Sequence, residues 1–431
     1  MSADDQLMSP AELAAVRGEF PALAATMANP CIYMDNAGGA QVLKRVADKV
    51  TDYLLSTSVQ LGGSYATAVS AHDRVLGARR TIATFINAAH DEEVVMGGST
   101  TALMFNFIQS LLPSIRAGDE LVVTNTEHEA NVGAWKRLAA ATGAVVRVWC
   151  VNPTTLHLEL DDLDALLASG RVKWVAMTHA SNVLGTVNPV TEVAMRVRAA
   201  GGRLSVDAVA YAPHRLVDVQ ASGADVYVFS FYKVFGPHYA VMWGRRDLLL
   251  SLASLNHECI QADNIPYKLQ PGNVNYELSY GCTGIVDYLA HVGGAVLGGR
   301  DDATLRARLQ HAFDRFEQHE NVLAETLLAF LRSRSSVRVI GMPHLRAQHG
   351  GRDYTRVATI SFVADGAQSP DVVRSLDAVR IGVRFGDFYA VQLVDALDLR
   401  KYGGVIRVSL AHYNSLDEVK LLVSHLDKLL P

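Results

Sequence analysis

Length, composition and charge place this chain among large globular proteins. Its 431 residues exceed what one hydrophobic core usually holds, so we predict two domains. The composition is 49% hydrophobic and 19% charged, as in ordinary folded proteins. The formal net charge of -5, without a long basic block, argues against nucleic acid as a partner.

The start of the chain and its apolar runs bear on where the protein works. Met1-Ser2-Ala3-Asp4-Asp5 is acidic and lacks the apolar core of a signal peptide. No apolar run reaches membrane-spanning length, so we expect a cytoplasmic protein with no membrane partner. The cysteines are far apart and form no C-x-x-C pair, so we expect free core thiols and no metal site. They are Cys31, Cys150, Cys259 and Cys282.

Residues 1–30 are predicted to form an N-terminal helical segment that is part of the small domain and of the active-site entrance. Ser9-Pro10 is typical of a capped helix start with proline at the first position, and the helix is predicted to run to Ala25. A short strand over 32–35 then enters Asn36-Ala37-Gly38-Gly39-Ala40, where the glycines permit close backbone approach. Amphipathic helices are predicted at about 42–56 and 66–87.

A regular alternation of strands and helices follows. The helices begin near 100, 129, 160 and 191. The strands are apolar almost throughout, which is typical of a mostly parallel sheet covered by helices on both faces. They are predicted at 93–96, 120–124, 145–149, 173–178, 203–207, 225–230 and 239–243. We therefore predict an α/β large domain over residues 31–295 with a seven-stranded sheet.

The pattern changes after a loop-rich stretch at 256–280. Long helices are predicted near 281–297 and 301–333, a shorter helix at 369–378 and a last helix from 415. Between them lie predicted strands at 337–341, 356–363 and 404–409. This predicts a smaller C-terminal α/β domain over residues 296–431.

Polar residues cluster where the predicted strands end. Ligands gather at the carboxyl ends of strands in an open parallel sheet. Helix capping explains any one cluster, but several together indicate a ligand site. The clusters are Gly98-Ser99-Thr100, Glu127-His128, Ser181-Asn182, Asp207, and Ser230 with Lys233. The glycine-serine-threonine turn can also cradle a phosphate at a helix N-terminus.

Lys233 is one of only nine lysines and stands in the apolar run Phe231-Tyr232-Lys233-Val234-Phe235. A desolvated lysine has a lowered pKa, so its neutral amine can form a Schiff base with a carbonyl. The alternative is a strand-end lysine whose ammonium reaches water. Asp207 ends another apolar strand and needs a positive or proton-donating partner, which a pyridinium nitrogen would supply.

Four motifs resemble fold-type I pyridoxal phosphate enzymes, in the cysteine desulfurase-like branch of the class V aminotransferase superfamily. The motifs are Thr126-Glu127-His128-Glu129-Ala130-Asn131, His179-Ala180-Ser181-Asn182-Val183-Leu184-Gly185-Thr186, Val206-Asp207-Ala208 and Ser230-Phe231-Tyr232-Lys233-Val234-Phe235-Gly236-Pro237. The resemblance extends from Tyr33 to the last helix. It implies the fold of a pyridoxal phosphate-dependent transferase with a large and a small domain. It also implies pyridoxal 5'-phosphate as cofactor, an amino-acid substrate and a homodimer with shared active sites.

The resemblance implies roles around the ring of the cofactor. Lys233 would form the Schiff base and later move the α-proton of the substrate. Asp207 would pair with the ring nitrogen and keep the ring an electron sink. His128 would stack on the ring, and Asn182 would donate a hydrogen bond to its 3-oxygen.

For the phosphate, the resemblance implies contacts from Ser99, Thr100 and Ser230. Tyr232 stands where relatives often carry a phosphate-binding histidine. Asn273, in the loop Gln270-Pro271-Gly272-Asn273, matches a loop that reaches the phosphate of the partner subunit.

For the substrate, the resemblance implies that Arg407 grips the α-carboxylate through its fork-shaped guanidinium. The remaining substrate contacts are expected from the glycine-rich turn and from the segment around residue 387. They are Asn36, Ala37, Gly38, Arg384 and Tyr389.

Two departures from the family pattern bear on the reaction. Desulfurases carry a catalytic cysteine in R-x-G-x-x-C, whereas this chain reads Arg384-Phe385-Gly386-Asp387-Phe388-Tyr389. The thiolate that accepts sulfur is therefore expected to be missing. Relatives also carry glutamine three residues after the aspartate, where this chain has Ala210 and then Tyr211. Either the electronic properties of the cofactor ring differ from those in the relatives, or Tyr211 takes the place of the glutamine.

The predicted activity is that of a carbon–sulfur β-lyase. It would cleave a cysteine S-conjugate to a thiol, pyruvate and ammonia, as in natural-product pathways of the lincosamide or ergothioneine type. Decarboxylation-coupled oxidative deamination of an S-cysteinyl intermediate and transamination use the same machinery. Cysteine desulfuration and a non-catalytic relative of the fold are the remaining alternatives.

Overall fold

The structure, a computed structural model, describes residues 6–24, 30–300 and 302–431. Helix α1 (Pro10–Gly18) begins as predicted, with Ser9 and Glu12 forming a reciprocal capping box. It ends earlier than predicted because Gly18 weakens the helix and Pro21 cannot donate a backbone hydrogen bond. The acidic start at 1–5, the predicted helix end at Ala25 and the predicted first residue of the long helix, Asp301, lie outside the described residues.

A seven-stranded sheet forms the centre of the molecule, as predicted. After the short strand β1 (Ile32–Tyr33), its strands are β2 (Val94–Gly97), β3 (Glu120–Thr124), β4 (Val145–Trp149), β5 (Val172–Thr178), β6 (Arg203–Asp207), β7 (Val226–Ser230) and β8 (Ala240–Gly244). The order is β2-β8-β7-β6-β5-β3-β4. Strand β8 pairs antiparallel with both neighbours, and every other pair in the sheet is parallel. The carboxyl ends of β2, β3, β5, β6 and β7 therefore meet at one edge.

Helices cover both faces of this sheet because its strands are apolar on both sides. They are α2 (Lys44–Ser56), α3 (Ala66–Ile86), α4 (Thr100–Leu111), α5 (Glu129–Thr142), α6 (Leu160–Leu167), α7 (Val190–Ala199), α8 (Val219–Ser222), α9 (Arg246–Ser251) and α10 (Tyr276–His291). One buried cluster includes Ile82, Val206 and Ile285, and another includes Leu103, Val123 and Trp135. Helix α10 begins earlier than predicted, where Asn275 caps it.

The C-terminal part contains a second, four-stranded antiparallel sheet in the order β14-β15-β12-β9. Its elements follow in chain order: α11 (Leu305–Arg332), β9 (Val337–Ile340), β10 (Arg346–His349), β11 (Arg352–Thr355), β12 (Thr359–Ala364), α12 (Ser369–Asp377), β13 (Ile381–Gly382), β14 (Arg384–Gly386), α13 (Val391–Ala396), β15 (Val405–Ser409) and α14 (Leu416–Leu429). The hairpin β10–β11 and the strands β13 and β14 were not predicted. Strand β1 pairs with β13, so the N-terminal strand adjoins this second unit. The domain boundaries at 30 and 295 stay predictions.

The cysteines differ in burial from the expectation of core thiols. Cys282 is buried in α10, whereas Cys150 and Cys259 are exposed and Cys31 is half-buried. All four are free. Within the described ranges, no helix is both long enough and apolar enough to cross a membrane.

Candidate active site

A cavity opens at the edge where the parallel strands end. Eight of the predicted site residues line it: Ser99, Thr100, His128, Asn182, Asp207, Ser230, Tyr232 and Lys233. Its remaining lining residues were not predicted; they are Thr101, Ala130, Thr178, Val209 and Ala210. The strand topology thus brings side chains from five loops to one place, as the sequence predicted from the carboxyl ends of the strands.

One end of the cavity suits an anion. Helix α4 begins at Thr100, directly after β2, and Ser99 caps it by accepting from the N–H of Ala102 at 3.0 Å. The hydroxyls of Thr100 and Ser230 lie 2.6 Å apart. Backbone N–H groups at a helix start and adjacent hydroxyls are donors that a phosphate accepts from.

Lys233 lies in the short turn that follows β7 and is only 7% exposed. Burial and the nearby Arg407 guanidinium lower the pKa of Lys233 from 10.5 to about 8, against the opposing pull of Asp207. A substantial fraction of this amine is therefore neutral near pH 8, which a nucleophilic role requires.

Asp207 ends β6 and is buried beside the same cavity. One carboxylate oxygen accepts from the N–H of Val209 at 2.8 Å. Burial raises the pKa of Asp207, while this hydrogen bond and the positive charge of Lys233 oppose the rise. A protonated ring nitrogen would give this carboxylate the partner that its burial requires.

His128 caps helix α5, which fixes the plane of its ring. Its Nδ1 accepts from the N–H of Ala130 at 3.1 Å. Burial, with Lys233 and Arg407 nearby, lowers the pKa of His128 to about 4, so the ring is neutral at physiological pH. A neutral flat ring held by a helix cap suits stacking on a flat heterocycle.

The segment after β14 reaches across to this cavity. Phe388 and Tyr389 both have positive φ, at 53° and 60°, a strained conformation for large side chains. The carbonyl of Phe388 accepts from Asn182 Nδ2 at 3.0 Å. The ring of Tyr389 lies 5.0 Å from that of His128, and its carbonyl accepts from the N–H of Glu129 at 2.9 Å. The side-chain N–H of Asn182 is thus engaged by this segment.

Arg407 lies in β15 and is only 2% exposed. Its Nη1 donates to the carbonyl of Asn182 at 3.3 Å, and its Nη2 donates to Asp35 at 2.9 Å. Its Nε has no hydrogen-bond partner among the described residues, and its guanidinium stacks 3.7 Å from the ring of Phe388. Burial lowers the pKa of Arg407 to about 10, so it stays charged at neutral pH. A buried, charged donor without a partner is what a substrate carboxylate would satisfy.

The other predicted residues lie in different settings. The side chain of Asn36 bonds to Ser409, Asn414 and Tyr413. Asn273 lines a separate groove with Met96 and Gln270, which leaves its predicted reach to a partner subunit as a prediction.

Tyr211, the predicted substitute for a missing glutamine, packs away from the lining. It stacks on the ring of His179 with centroids 3.7 Å apart and planes 5° apart. Ala210 lines the cavity instead. A small apolar residue therefore lines the cavity at the position where relatives carry the glutamine.

The donor set fits pyridoxal 5'-phosphate. The hydroxyls and the helix start can donate hydrogen bonds to a phosphate, and the buried carboxylate can pair with a protonated ring nitrogen. The neutral imidazole of His128 can stack on the face of the ring. A buried lysine with lowered pKa matches the aldehyde carbon. The lining includes no cysteine among the described residues.

Comparisons with known proteins agree with this fit. The family described as "Aminotransferase class-V" matches residues 32–422. The chain is 36% identical to the aminotransferase-like protein FGM3 of Gibberella zeae, over 96% of this chain and 98% of that protein. It is 32% identical to the cysteine desulfurase-like protein ustD of Aspergillus flavus, over 99% of this chain and 92% of that protein. Among solved structures, the cysteine desulfurase CsdA of Escherichia coli superposes with a TM-score of 0.79 at 26% identity. That match covers 97% of this chain and 98% of CsdA.

Proposed function

Because the chain belongs to the class V aminotransferase family, whose enzymes use pyridoxal 5'-phosphate, we propose that it is a carbon–sulfur β-lyase acting on a cysteine S-conjugate. The substrate loses its α-proton and the bond between Cβ and sulfur breaks, with the electron pair leaving on sulfur as a thiolate. Water then converts the remaining three-carbon unit to pyruvate and ammonia. No oxidant is required, since the substrate and one water supply every atom of the products.

The observation that carries this proposal is the residue at position 389. The sequence reads tyrosine where the resemblance to desulfurases leads us to expect the sulfur-accepting cysteine. Tyr389 contacts the ring of His128, and the exposed thiols, Cys150 and Cys259, belong to other loops. Burial raises the pKa of the Cys282 thiol, which keeps it protonated and unreactive. Since no cysteine is among the lining residues, we expect the sulfur to leave with its substituent.

Five cavity residues have binding roles in this proposal. Ser99, Thr100 and Ser230 would bind the phosphate, while His128 would hold one face of the ring. Asp207 would keep the proton-bearing nitrogen of the ring charged. When bound, pyridoxal 5'-phosphate supplies a carbonyl carbon that condenses with amines and a ring that accepts the electron pair left on Cα.

Lys233 has two tasks. Its neutral amine would hold the carbonyl carbon of the bound cofactor, and the same amine would take the proton from Cα of the substrate. Arg407 orients the substrate by holding the α-carboxylate, which fixes which bond of Cα faces Lys233. Phe388 covers one face of the Arg407 guanidinium and helps to hold it in place.

We also propose that the protein is a homodimer whose sites are completed across the interface. The loop 270–273 lies apart from the cavity of its own chain, where Asn273 lines a separate groove. Mixing two inactive variants, Lys233→Ala and Asn273→Ala, is expected to restore part of the activity through hybrid dimers. Failure to restore any activity in verified hybrids would contradict shared sites.

A substrate assay tests the proposed reaction. The loaded enzyme is incubated with S-methyl-L-cysteine and S-benzyl-L-cysteine, and pyruvate, ammonia, thiol, carbon dioxide and oxygen are measured together. Equal amounts of pyruvate, ammonia and thiol support the lyase. Carbon dioxide release or oxygen consumption in place of pyruvate contradicts it, and sulfide from free cysteine through a protein persulfide would refute the interpretation of Tyr389.

Cofactor uptake is expected to accelerate as pH rises through about 8. The pKa of Lys233 is lowered from 10.5 to about 8, and only the neutral amine attacks a carbonyl, so the reactive fraction grows as the ammonium loses its proton. Apo protein is mixed with pyridoxal 5'-phosphate at a series of pH values from about 6 to about 10, and growth of the absorption band is followed. A midpoint near that of an ordinary exposed lysine would contradict a desolvated Lys233.

A further inference from the structure

Asp35 lies beside the carboxylate-binding arginine, although the proposed reaction gives it no task. It follows β1, which pairs with β13, and its backbone forms a bridge with Ser409 at the end of β15. Its Oδ1 accepts from Arg407 Nη2 at 2.9 Å, and its Oδ2 lies 3.6 Å from Arg384 Nη1. Asp35 thus contacts two arginines, one of which, Arg407, donates to the carbonyl of the cavity-lining residue Asn182.

The two arginines need an anion between them. Arg384 in β14 is directly opposite Arg407 in β15 in the antiparallel register. Like charges directly opposite on paired strands repel, and the repulsion grows where water is excluded. Arg407 is 2% exposed and cannot move its charge into water, whereas the side chain of Arg384 is 56% exposed. Asp35 offsets the positive charge of this pair and lies closer to Arg407, its buried member, than to Arg384.

The turn that follows Asp35 leaves space for the carboxylate of Asp35. A Cβ on Gly38 would lie 2.6 Å from Oδ2 of Asp35, closer than such atoms approach. The next glycine differs, since a Cβ on Gly39 would lie 3.5 Å from the ring of Tyr232, an ordinary contact. Gly38 is therefore the residue in this turn that makes room for the carboxylate.

Asp35 and Asn182 together fix the guanidinium. They occupy Nη2 and Nη1 of Arg407, while the ring of Phe388 covers one face of it. Nε is buried and has no partner within the described part of the chain. These contacts thus fix the orientation of Arg407 before any ligand binds.

We propose that Asp35 is a positioning residue for substrate binding. It balances the charge of the Arg384–Arg407 pair and holds the guanidinium of Arg407 in the orientation in which it binds the α-carboxylate of the substrate. This rests on the proposed function to the extent that Arg407 binds that carboxylate. In this proposal Asp35 and Gly38 together set the affinity for the amino acid, whereas Lys233 carries out the bond-breaking step.

Asp35 also acts on Lys233 through space. Arg407 and Arg384 favour the neutral form of this lysine, whereas the negative charges of Asp207 and Asp35 favour its ammonium. Removing the charge of Asp35 is therefore expected to lower the pKa of Lys233. Replacing a residue that only supported the fold would leave the pKa of Lys233 unchanged.

Two variants test the proposal. Asp35→Asn removes the charge and keeps an oxygen acceptor, and Gly38→Ala keeps the charge but displaces the carboxylate. Each is expected to weaken binding of S-methyl-L-cysteine by about tenfold, the effect of one charge-assisted hydrogen bond, with kcat changed much less. Binding is read from the absorbance change of the loaded protein, so it does not depend on carbon–sulfur cleavage. Asp35→Asn should also shift the pH midpoint of cofactor uptake downward, and Asp35→Glu should recover part of the affinity.

Matched controls separate this role from general damage. Gly39→Ala lies in the same turn, and Asp48→Asn removes an exposed carboxylate that pairs with Lys44 on α2. Both should bind S-methyl-L-cysteine as the parent does. Unchanged or tighter binding in both Asp35→Asn and Gly38→Ala overturns the proposal, as does an unshifted pH midpoint in Asp35→Asn. If Arg407→Ala also binds normally, the failure belongs to the carboxylate site of the proposed function instead.

Discussion

Replacement of Lys233 by alanine is expected to lower amino-acid turnover by at least about a thousandfold, because one amine serves as both nucleophile and proton acceptor. Alanine leaves no group at this position that can take the α-proton. The fold should survive, since removing a buried lysine with a lowered pKa also removes a desolvation cost. Turnover of S-methyl-L-cysteine and circular dichroism of the same samples measure the two effects.

A control lysine distinguishes loss of chemistry from loss of charge. Lys428 is exposed near the end of α14, far from the cavity lining, and Lys428→Ala should keep parental turnover. Adding a small primary amine to Lys233→Ala should recover part of the rate, because the amine can take the α-proton. Parental turnover in Lys233→Ala would remove this residue from the proposed chemistry.

Replacement of Arg407 by alanine is expected to weaken amino-acid binding by at least about thirtyfold, since truncating one partner of a buried charge pair costs about 2 kcal/mol or more. The cofactor band should persist, because the phosphate and ring contacts come from other loops. Asp35, left without its buried partner, stays near Arg384 and retains some exposure, so we expect the fold to persist. Spectral titration with S-methyl-L-cysteine gives the affinity.

Arg407→Lys provides a graded comparison. Lysine keeps the charge but loses the planar fork, so binding should fall between that of the parent and that of Arg407→Ala. Arg374→Ala, which removes an exposed arginine in α12, should leave binding unchanged. Equal affinity in Arg407→Ala and the parent would move the carboxylate site elsewhere.

The large sheet could be predicted from sequence because its strands, apart from the edge strand β4, are buried on both faces. The strand Val226–Ser230 is apolar up to its last residue, and the strand ending at Asp207 is buried over its last four residues. Hydrophobic periodicity reports such burial directly. The hairpin β10–β11 was missed because its strands are polar, although Gly350-Gly351, both with positive φ, carried a recognisable turn signal.

Much of the candidate site could also be predicted from the sequence, because of the topology of the sheet. Parallel strands end at one edge, so the prediction of a mostly parallel sheet places the residues that follow its strands, such as Ser99, His128 and Lys233, at the same edge. Thr178 and Val209 were missed because neither is distinguished by residue type. Their positions follow only from which side chains face the cavity.

Asp35 could not be found by reading along the chain. It meets Arg407 across a separation of 372 residues, through the pairing of β1 with β13 and of β14 with β15. The conformation of Tyr389 was equally hidden, since a positive φ for tyrosine runs against its local preference and is imposed by the surrounding contacts. Long-range pairing and strain are both properties of the assembled fold.

Borohydride reduction of the loaded protein tests the central claim most directly. Reduction fixes pyridoxal 5'-phosphate to the amine that holds it, and mass spectrometry of the digested protein locates the modified residue. We predict one modified lysine per chain, at Lys233, and none in Lys233→Ala. Modification at another lysine, or none in protein that carries the absorption band, would contradict a Schiff base at Lys233.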